Sequence, residues 1–271
     1  MTISSPSTLS ETAITETLIA CAEAARPITL GRFRTQLVVD NKHATGFDPV
    51  TAADREAETA IRDIIAARFP GHGIIGEEWD AKATGSPYNW IIDPIDGTRA
   101  FISGVPVWGT LVGLTREGKA IAGLMEQPYT GEYWLAAGGG LRHGRNGADL
   151  PATTSTVTRL ANARATATTP DLFRGPHLSA WSRLSASVLQ VRYGLDCYGY
   201  CLLASGHIDL VVEADLKDVD IAPLVPIVEA AGGVVTTWDG GRPEKGGTCV
   251  AAATPELHEE ALRALREAMF D

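Results

Sequence analysis

Positive charge is in short supply in this 271-residue chain: 23 Lys and Arg face 33 Asp and Glu, a formal net charge of −10. That balance argues against nucleic acid as a partner, because gripping a phosphate backbone needs a basic surface. Cysteine is scarce as well. The four present (Cys21, Cys197, Cys201, Cys249) form no CxxC pair and lie in mostly apolar surroundings. They read as small buried hydrophobes in a reducing compartment. Cys197 and Cys201, four apart, would share a helix face, where a functional thiol pair is the alternative to plain packing. No apolar run approaches the length of a membrane span, and Met1 to Ser10 is polar without a basic n-region. No membrane association and no secretion are therefore expected, and a cytoplasmic location is. Repeats and low-complexity tracts are also missing.

What remains is ordinary for a soluble globular enzyme, with 45% hydrophobic and 21% charged residues. The length suits one large domain or two intimately packed ones. Ile14, Leu18, Ala22 and Ala25 fall on one stripe of a helix predicted near 10–33. Thr51 caps a second helix, with Asp54 in its first turn, Ala57, Ile61, Ile64, Ile65 and Phe69 on its buried side, and Pro70-Gly71 at its end. Strands 73–76 and 90–92 follow, then an antiparallel meander over 107–114, 120–125 and 133–136, with turns at Gly138-Gly139-Gly140 and Asn146-Gly147. The Thr/Ala/Arg-rich stretch 151–165 lacks periodicity and is the best boundary, giving an N-terminal half 1–150 and a C-terminal half 151–271. Beyond it strands at 165–168, 188–193, 208–213, 234–237 and 249–253 alternate with helices at 178–185, 198–205 and 220–231 and one opened by Pro255. Helix and sheet layers stacked together are the expected architecture.

The most informative stretch is Trp90-Ile91-Ile92-Asp93-Pro94-Ile95-Asp96-Gly97-Thr98. A buried strand has no structural use for two carboxylates at its end, since unpaired buried charge is costly; a divalent cation would answer it. Pro94 fixes its own φ and cannot donate to a ladder, so the strand is predicted to stop there. The following turn could then aim Asp93, Asp96 and the Ile95 carbonyl into one small volume. Such all-oxygen ligation suits Mg²⁺ or Mn²⁺. Gly97 and Thr98 stand where a helix would begin and where backbone N–H groups attract phosphate; a capped turn is the plainer alternative.

Glu77-Glu78 end another apolar strand. Alone such a pair is usually just solvated, but beside a second carboxylate-tipped strand it becomes part of a shared cation site. Asp54 either complements its helix dipole or holds a nucleophilic water, and the sequence leaves both open. In Lys217-Asp218-Val219-Asp220-Ile221-Ala222-Pro223, either aspartate could be a plain N-cap. An acidic protein handling a phosphate ester must neutralise it locally, and no cluster of Arg or Lys is placed to do so. Taken with Asp220, the set reads as a metal-dependent phosphate-ester hydrolase.

Four motifs in order resemble those of the inositol monophosphatase family: Asp48-Pro49-Val50-Thr51-Ala52-Ala53-Asp54, Gly76-Glu77-Glu78, Trp90 to Thr98, and Asp220-Ile221-Ala222 before Gly232-Gly233. The resemblance spans nearly the whole chain. It implies a layered αβαβα sandwich of the inositol monophosphatase / fructose-1,6-bisphosphatase-like type, assembled as a homodimer. It also implies two to three Mg²⁺ ions, with Mn²⁺ a substitute. Glu77, Asp93 and the Ile95 carbonyl would hold one ion; Asp93, Asp96 and Asp220 a second; Glu77 and mostly water a weaker third. Gly97 and Thr98 would contact phosphate, and Thr98 with Asp54 would orient the attacking water, making Glu77, Thr98 and Asp54 the catalytic set. One departure stands out: the family pattern Trp-Asp-x-Ala-(Ala/Gly)-Gly is Val219-Asp220-Ile221-Ala222-Pro223 here. Pro223 fits the first turn of a helix.

Gly194-Leu195-Asp196-Cys197-Tyr198-Gly199-Tyr200, Leu210-Val211-Val212-Glu213 and Leu224-Val225-Pro226-Ile227-Val228-Glu229 resemble the histidinol-phosphate phosphatase branch. That implies hydrolysis of a cationic small-molecule ester in histidine synthesis. Its ammonium and imidazole would suit acidic side chains: Asp196 and Glu213, with Asp96 and Asp220 also facing substrate. For Asp196 the alternative is a helix cap. An inositol phosphatase or broader sugar- or nucleotide-phosphate phosphatase is a second reading, and a non-catalytic metal-binding regulatory protein a third. The complete set Glu77, Asp93, Asp96, Thr98 and Asp220 argues against the third.

Overall fold

The computed structural model describes residues 9–41 and 49–270; Asp48, the start of the first motif, lies outside them. Helix α1 (Glu11–Leu30) opens on Ser10, whose hydroxyl caps the Ala13 N–H. The short antiparallel ribbon of β1 (Val39–Asn41) and β2 (Pro49–Thr51) leads into α2 (Ala52–Arg68). The predicted stripes are real: Ile14, Leu18, Ala22 and Ala25 of α1 and Ala57, Ile61 and Ile65 of α2 are all buried. They pack with Ile74, Trp90, Ile92 and Leu124 in one cluster, against which Ile64 and Phe69 lean.

The large sheet holds seven strands in sequence order: β3 (Gly73–Gly76), β4 (Tyr88–Asp96), β5 (Gly109–Arg116), β6 (Lys119–Gln127), β7 (Glu132–Ala137), β8 (Gly140–Arg145) and β9 (Ala148–Leu150). Only the β3–β4 pair is parallel. Successive side chains point to opposite faces of a strand. Val112, Leu124 and Leu135 therefore meet α1 and α2, while their neighbours Leu111, Met125 and Trp134 face the other way, into a second cluster. Both faces are covered, which is why these strands read as unbroken apolar runs. The glycine turns at 138–140 and 146–147 belong to two further hairpins, so β8 and β9 extend the meander beyond the three strands expected.

Strand β4 does not stop at Pro94. It continues through Asp96, with a register irregularity against β5 between Asp93 and Asp96. Two features make this possible. Strand β3 has ended opposite Ile92, so the missing Pro94 N–H falls on a one-sided stretch, where proline is tolerated. On the other side, Thr110 Oγ1 donates to the Pro94 carbonyl across 2.9 Å.

After the five-residue helix α3 (Thr98–Ile102) and the meander, the chain builds a five-stranded sheet. Its strands are β10 (Arg164–Ala167), β11 (Gln190–Tyr193), β12 (Leu210–Leu216), β13 (Val234–Thr236) and β14 (Gly247–Ala252), in the order β11-β10-β12-β14-β13. Helices α4 (Pro176–Ser187) and α8 (Pro255–Phe270) cover its outer face; α5 (Asp196–Ala204) and α7 (Leu224–Ala230) fill the space between the two sheets. The layers thus run helix, sheet, helix, sheet, helix, as the resemblance implied. The central cluster draws Leu111, Met125 and Trp134 from one half and Tyr200, Val211 and Val225 from the other.

The single helix expected over 220–231 is two: α6 (Asp218–Ile221) and α7, broken at Pro223. Proline lacks the N–H and crowds the carbonyl four residues back, so it starts a helix better than it continues one. The joint is pressed onto the large sheet. A Cβ at Gly123 would stand 1.8 Å from the Pro223 carbonyl oxygen, so only glycine lets the two backbones approach this closely.

Candidate active site

Three elements converge at the end of β4. Strand β3 delivers Glu77 just past Gly76, alongside Ile92. Strand β4 carries Asp93 and Asp96 on either side of its irregularity. Helix α6, held by the Pro223 joint, brings in Asp220 from more than a hundred residues away. Carboxylate oxygens of Asp93, Asp96 and Asp220 lie within 4.8 Å of one another. The resulting electrostatics are severe. Burial, then the charges of Glu77, Asp96 and Asp220, raises Asp93 well above the usual carboxylate range. Burial, then Asp220 and Asp196, does the same to Asp96. Burial also pushes Asp220 up to about 6, against the opposing hydrogen bond from the Lys217 amide.

Each carboxylate is held by the backbone. Asp93 Oδ1 accepts the Ile95 N–H at 3.0 Å, Asp96 Oδ2 the Cys197 N–H at 2.8 Å and Asp220 Oδ2 the Lys217 N–H at 2.7 Å. Asp54 Oδ2 accepts both the Thr51 N–H (2.8 Å) and its hydroxyl (2.7 Å). Asp54 and Asp220 are the third residues of their helices, where a carboxylate reaches back to the cap N–H. Capping occupies only one oxygen of each. Asp220 is also part of the cluster, and Asp54 Oδ1 is buried without a hydrogen-bond partner. Asp218 instead accepts the adjacent Val219 N–H.

The cluster has the donor chemistry of a hard divalent cation. Its ligands are all oxygens, Asp93 is only 2% exposed, and mutual repulsion among fixed carboxylates is what such an ion relieves. Among the described residues lining the cleft, the only basic ones are Arg99 and Lys217.

This cleft, about 530 Å³, runs from the cluster to β12 and α5. Gly97 precedes α3 in a left-handed conformation (φ 78°) and sits against Asp196; a Cβ there would come within 3.2 Å of that side chain. Thr98 Oγ1 donates to the Ile95 carbonyl at 3.1 Å. Asp196 is the first residue of α5, not its cap, a position taken by Leu195. Burial pushes Asp196 up to about 6, partly offset by Arg99. Glu213 Oε1 accepts the Thr168 N–H (2.8 Å) and hydroxyl (3.0 Å), whereas Oε2 is buried without a partner. Burial, resisted by those two bonds, pushes Glu213 up to about 8. All four cysteines are buried and outside any disulfide. Burial raises their thiols, Cys21 and Cys249 to about 12.

Two residues at this site escaped the sequence reading. Glu58, fully buried, accepts the Arg62 Nε–H and the Glu78 N–H, each at 2.7 Å, and so fixes the segment carrying Glu77. Its signal was a carboxylate four residues after Asp54, on the apolar side of α2. Lys217 Nζ donates to Glu77 Oε1 at 2.9 Å; in the sequence it stands beside two aspartates, either of which could cap a helix.

Residues 10–269 match the model of the inositol monophosphatase family. The chain is 39% identical to a bifunctional phosphatase, IMPL2, of Arabidopsis thaliana, over 96% of its own length and 78% of that protein's. It is 38% identical to a histidinol-phosphatase of Chlorobaculum parvum, over 81% and 83%. The structure of an inositol monophosphatase from Zymomonas mobilis superimposes with a TM-score of 0.84 at 35% identity, covering 96% of this chain and 100% of that one. The chain is therefore a member of the inositol monophosphatase family, a family of phosphatases.

Proposed function

We propose that this protein hydrolyses histidinol phosphate to histidinol and inorganic phosphate, in histidine synthesis. The observation that carries the substrate choice is the acidic wall of the cleft: Glu213 Oε2, buried and without a hydrogen-bond partner, beside Asp196. A neutral polyol gives such a wall little to neutralise, whereas an ammonium and an imidazole make charge-assisted hydrogen bonds with it. The histidinol-phosphatase of Chlorobaculum parvum supports the same reading.

Glu77, Asp93 and the Ile95 carbonyl would hold one Mg²⁺, and Asp93, Asp96 and Asp220 another, with Mn²⁺ able to replace either. When bound, such ions lower the pKa of water and offset the charge that builds on a phosphoryl group. The protein's own contribution is positioning. The Gly97 and Thr98 backbone N–H groups bind the phosphate, Gly97 keeping the approach open. The Thr98 hydroxyl and Asp54 Oδ1 orient the attacking water. Asp196 and Glu213 grip the nitrogens of the leaving alcohol. No covalent intermediate is involved, in keeping with the buried, raised cysteine thiols.

An inositol phosphatase is the second reading, favoured by the likeness to the Zymomonas mobilis structure. Steady-state turnover of histidinol phosphate and inositol 1-phosphate with Mg²⁺ separates the two. A higher kcat/KM for histidinol phosphate is expected; the reverse order would give the site to the polyol.

A further inference from the structure

Lys217 and Glu77 are 140 residues apart in sequence, yet they form an ion pair at the edge of the carboxylate cluster. The lysine is anchored at both ends. Its backbone N–H donates to Asp220 Oδ2 at 2.7 Å, and its ammonium donates to Glu77 Oε1 at 2.9 Å. Half of the lysine side chain is exposed, against 11% of Glu77, and both residues line the same cleft. The ammonium therefore stands on the carboxylate that the family resemblance assigns to a weaker third ion coordinated mostly by water.

Resting on the metal-dependent reading above, we propose that Lys217 takes the place of that third ion, so that the site works with two divalent cations and one fixed ammonium. Two physical points support the exchange. An ion held by Glu77 and water alone must first break the ion pair at Oε1 and then sit beside a displaced positive charge, and both effects weaken it, whereas the first ion has Asp93 and the Ile95 carbonyl as further ligands. An ammonium is a compact charge with three donors, so Lys217 can hold Glu77 while facing a phosphate oxygen from the half-exposed side. Lys217 is thus a positioning residue: it sets the orientation of Glu77. It also supplies part of the local neutralisation that the acidic chain otherwise lacks.

The test is equilibrium Mn²⁺ binding to the metal-stripped full-length protein, read as the resonance of free Mn²⁺, for wild type, Lys217→Arg and Lys217→Met. Wild type and Lys217→Arg are expected to bind two ions; Lys217→Met is expected to gain a third, weaker one. The lysine is half exposed, so neither change threatens folding, and rescue by arginine separates charge from shape. Three ions on wild type, or two on Lys217→Met, would overturn the proposal and leave the metal-dependent reading intact. No binding to any of the three proteins would overturn both.

Discussion

The Cys197 N–H donates to Asp96 Oδ2 across 2.8 Å, tying the end of β4 to the start of α5. That bond joins the two halves of the cleft. The strand that carries two carboxylates of the cluster is tied to the helix that carries Asp196, so the proposed cation site and the proposed substrate wall share one frame. Asp220 and the Pro223 joint close the frame from the third side.

Mutual repulsion in the cluster means that function and stability oppose one another there. Asp220→Asn should lower phosphatase kcat by roughly 10³-fold, because stabilisation by a bound cation is worth several kcal/mol. The same change should raise the Tm of the metal-free protein, since it removes one of several crowded charges. Calorimetry with and without Mg²⁺, alongside turnover, checks both. A falling metal-free Tm would contradict the repulsion argument.

The raised carboxyl groups set the sign of a pH dependence. A carboxyl whose folded-state value lies above its unfolded value binds protons more tightly when folded. Its stabilising contribution is complete below the unfolded value and is lost as pH rises through the folded one. For Asp196 and Asp220 that loss begins near the ordinary carboxylate value and is complete by about pH 6, and for Glu213 by about pH 8. The metal-free protein should therefore melt at a higher temperature at pH 5 than at pH 8.5, with Mg²⁺ restoring most of the difference at the higher pH. Melting curves across that range test it.

Gly123→Ala should damage the site from a distance. The added methyl meets the Pro223 carbonyl oxygen at 1.8 Å, a backbone contact that cannot swing aside. Overpacking of this kind costs about 1–3 kcal/mol, and relief would push the α6–α7 joint, and Asp220 with it, off the sheet. Reduced Tm together with weaker Mg²⁺ activation is the expected pair of outcomes. Gly118→Ala, where nothing lies within 4 Å of the added carbon, controls for a general glycine effect, although its own positive φ adds some strain.

Glu213→Gln and Asp196→Ala should separate recognition from chemistry. Each is expected to raise KM for histidinol phosphate by roughly ten-fold or more, the worth of a charge-assisted hydrogen bond, while leaving a simple aryl phosphate nearly unaffected. Equal losses on both substrates would remove these residues from recognition.

Much of this was legible in the sequence because the carboxylates stand at the ends of apolar runs, where burial gives them no bland explanation. Gly76-Glu77 and Ile92-Asp93 are such places, and the apolar runs over 107–114, 120–125 and 133–136 announced the antiparallel meander. Continuity was harder to read. Pro94 looked like a strand end because its one-sided setting depends on where β3 stops, a tertiary fact. The close seating of the Pro223 joint likewise depends on two glycines of the large sheet, Gly113 and Gly123, a hundred residues away. Glu58 and Lys217 were missed because each looks like an ordinary helical charge until its partner, Glu78 or Glu77, is folded against it. Asp54 and Asp220 could not be decided between capping and chemistry for a physical reason: one oxygen of each caps a helix, leaving a second oxygen that capping does not use.

The most direct test of the central claim is anomalous diffraction from crystals soaked in Mn²⁺. The account predicts a strong peak bonded to Asp93, Asp96 and Asp220 together, with a second between Asp93 and Glu77. No peak among the three aspartates at saturating Mn²⁺ would contradict it.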